Sequence, residues 1–129
     1  MMHDIIICIG SNIPECRQEI SMAIKWLIGN LINPRHTSPY PTSPEGIGAG
    51  NTPYLNAVID GGTYLAKEEL EASFKAYEHT RGRKPSDKAQ GKIIIDIDLV
   101  CYDDEIVRPD EFNTAYFRPG YLSLRGNQE

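Results

Sequence analysis

The segment KIIIDIDLVCYDD, Lys92 to Asp104, sets two aspartates two residues apart inside a strand-like run of isoleucine, leucine and valine. Strand side chains alternate, so Ile93, Ile95, Ile97, Leu99 and Cys101 are expected on one face. Ile94, Asp96, Asp98, Val100 and Tyr102 fall on the other. The first face is unbroken apolar surface for helices to cover; the second holds two carboxylates with Cα atoms roughly 7 Å apart. A buried carboxylate must be neutralised, paired or bound to a cation, and two so close shift one another's pKa unless a cation lies between them. Hard oxygen ligands on a rigid strand suit Mg2+ bridging to phosphate. Solvated aspartates, or ion pairs to neighbouring lysines, account for the same pattern, and D-x-D alone does not choose between them.

The rest of the chain narrows the choice. Its 129 residues make one domain, 1–129, with 40% hydrophobic and 24% charged residues as in soluble globular proteins. No run reaches membrane-spanning length, and no secretory signal opens the chain. Cys8, Cys16 and Cys101 lack metal-ligand spacing and read as reduced thiols, which suggests a cytoplasmic location. A net charge of −5 argues against a nucleic-acid partner. Yet Arg81, Arg83, Lys84, Lys88 and Lys92 are concentrated just before the aspartate strand, against Asp87 alone. A solvated loop explains such a run by itself. Next to Asp96 and Asp98 it also suits the phosphates of a nucleotide, whose charge it would neutralise.

The periodicities give an outline. DIIICIG reads as a buried strand, with Ser11 or Asn12 placed to cap a helix whose first turn holds Pro14. Ile20, Ala23, Ile24, Leu27, Ile28 and Leu31 form its apolar stripe, and Asn33-Pro34 ends it. The proline- and glycine-rich stretch 33–53 is a long irregular loop or a short edge strand between turns. YLNAVIDGGTYL reads as a strand interrupted at Gly61-Gly62 by a bulge or turn, and a second helix starts near Ala66 and stops at Gly82. The order β-α-(loop)-β-α-β predicts an α+β sandwich with a mixed or antiparallel sheet, followed by a tail of little regularity.

Other candidates are individually weak. Asn56 breaks an apolar strand with an amide that donates and accepts, matching the edge of a flat heterocycle that Tyr54 could stack on; a cross-strand hydrogen bond would serve equally. Glu78 lies three residues after Lys75, an ordinary ion-pair spacing. Trp26 reads as packing, and the histidines show no zinc spacing. GIGAG at 46–50 precedes a strand, and Gly91-Lys92 lacks the surrounding residues of a P-loop, so neither is a phosphate cradle of the known types.

Six segments in order resemble the 6-hydroxymethyl-7,8-dihydropterin pyrophosphokinase family: IGSN (9–12), YPTSPEG (40–46), PYLNAVI (53–59), LAKEEL (65–70), YEHTRGR (77–83) and IDIDLVCYDDEIV (95–107). The resemblance implies a ferredoxin-like α/β/α sandwich and transfer of pyrophosphate from ATP to the pterin hydroxymethyl oxygen, with release of AMP, in folate biosynthesis. It further implies two Mg2+ ions on Asp96 and Asp98. Thr42, Ser43, Glu45, Tyr54 and Asn56 would line the pterin pocket, with Tyr121 as the stacking aromatic. Lys75, Glu78, Arg83, Leu99, Tyr116 and Arg118 would lie at ATP. Residues 83–92 would be the catalytic loop, working through Arg83, Lys84, Lys88 and Lys92. The implied partners are small molecules alone, with no nucleic acid and no membrane.

The chain departs from the family in that loop. Where the family reads Arg-Trp-Gly-Pro-Arg, this chain has Ala89, Gln90, Gly91, Lys92 and Ile93; a further family arginine is replaced by Pro85; and its Pro-His-Tyr is Thr114-Ala115-Tyr116. Lysine does not equal arginine at a bidentate phosphate site. The alternative is therefore a non-catalytic paralogue that keeps pterin or nucleotide binding.

Overall fold

The computed structural model describes residues 1–43 and 53–125. Strand β1 (His3–Ser11) is flanked on both sides by antiparallel neighbours, β4 (Tyr54–Thr63) and β5 (Asp96–Tyr102). Outside β4 lies β2 (Ile32–His36), with β3 (Tyr40–Thr42) further along the same edge; β6 (Glu105–Ile106) pairs with the end of β5. Among the described residues these six strands make one antiparallel sheet in the order β2-β4-β1-β5-β6. Helices α1 (Cys16–Asn30) and α2 (Lys67–Thr80) supply the β-α-β-β-α-β connectivity of a ferredoxin-like fold. The sandwich expected from the sequence is the one observed.

Alternation along the strands builds two cores. Ile5, Ile7, Ile9, Ala57, Ile59, Ile97 and Leu99 face α1 and α2, meeting Ile20, Leu27, Leu70 and Phe74. Trp26 stacks on Tyr77 with ring centroids 4.5 Å apart, so it is packing as expected. Ile6, Cys8 and Val58 face the other way, where Phe117 fills a second core. That side is covered by α4 (Pro109–Phe112) and α5 (Arg118–Arg125). The tail read as irregular is therefore the third layer: Pro109 and Pro119 open short helices that carry too few apolar residues to show a period.

Four local expectations change. Ser11 and Asn12 do not cap α1, which begins beyond Glu15 with no side-chain cap. Asn12 instead holds the chain before β5: its Nδ2 donates to Gly91 O and its Oδ1 accepts from Ile93 N, both at 2.7 Å. Gly61-Gly62 does not interrupt β4, whose pairing with β1 runs through both. The glycines make room, since a Cβ at Gly61 would sit 3.2 Å from Ile32 O and one at Gly62 would sit 2.7 Å from Met2 Sδ. The stretch after α1 holds two edge strands, β2 and β3, with Asn33 in the left-handed region at φ 47°.

The last change is in β5. Ile6 pairs with Cys101 and Ile7 with Leu99, so Val100 is an extra residue, a β-bulge. Beyond it the faces exchange: Cys101 joins the second core with Val100, and Tyr102 packs against the first. Strict alternation had placed both on the opposite sides. Cys8, Cys16 and Cys101 are free thiols. No helix among the described residues is long and apolar enough to cross a membrane.

Candidate active site

Strand β6 covers β5 only at Cys101 and Tyr102. The outer edge from Asp96 to Leu99 has no strand partner among the described residues, and a cleft of about 490 Å³ opens along it. Glu78 of α2 reaches over that edge, its Oε2 accepting from Ile97 N at 2.7 Å. It pairs with Arg83, not with Lys75 as its spacing suggested: Arg83 Nη1 is 3.0 Å from Glu78 Oε1. The same nitrogen donates to Asp96 Oδ1 at 2.8 Å and to Ile95 O at 3.2 Å. Gly82, with φ 94°, ends α2 and turns the chain back so that Arg83 meets the strand.

Asp96 and Asp98 line the cleft together, as their spacing predicted. Glu111 of α4 adds a third carboxyl, hydrogen-bonded to that of Asp98. Burial, then the charges of Asp96 and Glu111, push the Asp98 carboxyl up to about 10, against a weaker opposing pull from Arg108. Glu111 is raised too, again mainly by burial, as is Glu78 despite its hydrogen bond from Ile97. Crowded, half-desolvated carboxylates of this kind hold a proton or take up a cation.

The donor set fits a divalent ion of hard character. Among the described residues no three His, Cys, Asp or Glu side chains form a cage that could hold a metal ion. Two strand carboxylates without a cage suit Mg2+, which keeps waters and takes the rest of its shell from substrate phosphates.

The heterocycle candidates line the same cleft, with Asn56 of β4 and Asp96 of β5 level with each other on either side of Gly10. Ser43, Tyr54 and Asn56 line it beside Gly10 of β1. Asn56 Nδ2 donates to Thr42 Oγ1 at 2.6 Å, so Thr42 stands behind the amide. Gly10 leaves room for the amide, since a Cβ would approach Asn56 Oδ1 to 3.0 Å. Glu45 and the glycine run 46–50 lie outside the described residues.

Lys75, Leu99, Lys88 and Tyr116 also line the cleft. Other predicted residues are elsewhere. Residues 85–89 form a short helix, α3 (Pro85–Ala89), in which Lys84 N donates to Asp87 Oδ2 at 3.0 Å. Lys92 lines a separate hollow beside the Glu19–Arg81 ion pair. Arg118 lies over the Phe112 ring, 5.4 Å from its centroid, and Tyr121 stacks on Phe117 in the second core. Arg108 and Glu111, which do line the cleft, were missed. The available signal was Pro109 followed by an i,i+3 Arg–Glu spacing, a helix start in the segment read as irregular.

A family model described as 7,8-dihydro-6-hydroxymethylpterin-pyrophosphokinase matches residues 6–122. The chain belongs to this family. The pyrophosphokinase match spans every strand of the sheet except the first residues of β1, and it includes the whole described cleft. No curated protein matches the chain closely enough to count as a relative.

Proposed function

We propose that this chain is a Mg2+-dependent ATP:pterin pyrophosphokinase. It transfers the β,γ-pyrophosphoryl group of ATP to the hydroxymethyl oxygen of 6-hydroxymethyl-7,8-dihydropterin and releases AMP. The observation that carries this reading is the meeting of two half-sites in one cleft: an amide and an aromatic ring from β4, and a carboxylate pair from β5 with cations among the lining residues. Its volume of about 490 Å³ is in the range of small-molecule sites.

Asn56 and Tyr54 would bind the pterin, the amide pairing with the ring edge and the phenol ring against its face. Asp96 and Asp98 would hold Mg2+, which supplies charge neutralisation on the phosphates and a template for the attacking oxygen. The hydroxymethyl oxygen forms a bond to the β-phosphorus as the bond from that phosphorus to the α-β bridging oxygen breaks; the hydroxyl proton is lost and AMP departs. Such transfers depend on positioning and charge more than on a general base, and Lys75 and Lys88 add positive charge to the cleft walls. The location expected is the cytoplasm, where the substrates are soluble small molecules.

One observation favours the non-catalytic paralogue. Arg83 is already paired through Nη1 with Asp96, Glu78 and Ile95, and Lys92 is outside the cleft, so the loop brings less charge to the cleft than its sequence suggested. Measuring AMP release from MgATP with and without the pterin decides between the two. Pterin-dependent AMP is expected; folded protein that binds pterin by calorimetry but forms no AMP overturns the enzyme reading.

A further inference from the structure

The two arginines of the cleft use their donors differently. Arg83 is committed, with two hydrogen bonds, a second carboxylate at 3.0 Å, and only 23% of its side chain exposed. Arg108 is held by charge alone: Nη2 is 3.4 Å from Asp98 Oδ1, Nη1 is 3.9 Å from Glu111 Oε2, and 42% of the side chain is exposed. Among the described residues its guanidinium makes no hydrogen bond, so all five N–H donors are unspent. Its backbone is fixed, however. Arg108 N donates to Val100 O at 3.3 Å, and Pro109 starts α4 immediately after it. The result is a half-exposed cationic head without hydrogen bonds, on a fixed backbone, lining the cleft from the side of β5 and α4.

We propose that Arg108 is the arginine that binds the transferring triphosphate in this chain, a role that rests on reading the cleft as an ATP site. In the nucleotide-free protein it rests loosely beside the Asp98 and Glu111 carboxyls. On nucleotide entry its planar fork moves from these carboxyls to phosphate oxygens, which it can grip in a bidentate manner. Little is lost by leaving a contact of 3.4 Å that makes no hydrogen bond. Arg83 makes its contacts to Asp96, Glu78 and the Ile95 carbonyl through Nη1, and these fix its head against β5, so it acts as a positioning residue that holds Asp96. The charge missing from loop 83–92 is thereby supplied from a different segment.

The test is equilibrium binding of α,β-methylene-ATP, AMP and the pterin, each with Mg2+, to the full chain and to Arg108→Ala. Removing a phosphate contact of this kind should weaken the triphosphate analogue ~10-fold or more. AMP and pterin affinity should change less than about twofold, and added guanidinium should restore part of the loss. Arg108→Lys should fall between. Unchanged affinity for the triphosphate analogue in Arg108→Ala, with the parent chain binding it, overturns the assignment of Arg108 and leaves the pyrophosphokinase reading standing. A parent chain that binds no triphosphate overturns both. Equal losses for AMP and pterin would mean a structural role and also overturn the assignment. Arg108→Gln takes the place of Arg108→Ala should the latter not fold.

Discussion

Gly120 is where the third layer touches the sheet, and Gly120→Ala is the most direct probe of how that layer is held. A Cβ there would lie 2.5 Å from Val58 Cγ2 and 2.7 Å from Tyr40 Oη. Carbon atoms in contact rest about 3.5–4.0 Å apart, so α5 must lift by roughly 1 Å or Val58 must be driven off its rotamer. Overpacking of this kind costs about 1–3 kcal/mol. Lifting α5 also strains the 2.6 Å hydrogen bond that Tyr40 Oη donates to Tyr116 O, worth a further ~1 kcal/mol. The sum, about 2–4 kcal/mol, is a large share of a typical domain's stability. Urea unfolding should read it as a lower midpoint at unchanged slope. Val58→Ala alone should cost about 2 kcal/mol as a cavity, but it also removes Val58 Cγ2, the atom that the new methyl strikes hardest. The double variant should therefore be more stable than the summed losses predict, by about 1–2 kcal/mol. Losses that add within ~0.5 kcal/mol would refute the contact as the cause.

Three further outcomes are expected. Asn12→Ala leaves Ile93 N and Gly91 O without the partners they have now; it should cost about 1–3 kcal/mol by denaturant unfolding and speed hydrogen exchange at Ile93, and native-like exchange there would contradict the anchoring role. Asp98, raised from an ordinary 3.8 to about 10, keeps its proton in the folded chain while the unfolded chain loses it. Its contribution to stability is thus full below the unfolded value and is lost as pH rises toward the folded one. Melting temperature in chelator should fall with pH between 6 and 9 more steeply for the parent than for Asp98→Asn, and saturating Mg2+ should lessen the difference; parallel curves would rule this out. Asp96→Asn should abolish the Mg2+ dependence of nucleotide binding, and unchanged calorimetric titrations would remove Asp96 from the metal site.

Much of the molecule was legible because its central elements obey simple periods. The alternation in β1 and β4 and the helical stripe of α1 locate the first core, and the same alternation puts Asp96 and Asp98 side by side. Legibility failed where a tertiary contact overrides the local signal. Asn12 has the chemistry of a helix cap but finds two backbone partners 79 and 81 residues away. Gly61-Gly62 has the composition of a turn, yet serves the close approach of Ile32 and Met2. In the cleft, the cations of loop 83–92 were read from their nearness in sequence to the aspartates. Distance along the chain proved a poor guide: Lys92, four residues from Asp96, lies in another hollow, whereas Arg108 reaches Asp98 from ten residues beyond it.

The extra residue at Val100 gives β5 something like a reading frame. Upstream of it the strand is in one phase with the sheet and presents carboxylates to the cleft; downstream it is in the other, burying Cys101 and turning Tyr102 outward against the helices. Removing one methyl-rich residue would leave the composition of the chain almost untouched and its upstream half in register. It would also leave Cys101 opposite Ile6 and Tyr102 opposite Ile5, in the layers they now occupy, because the bulge is what reconciles this spelling of the strand with the sheet.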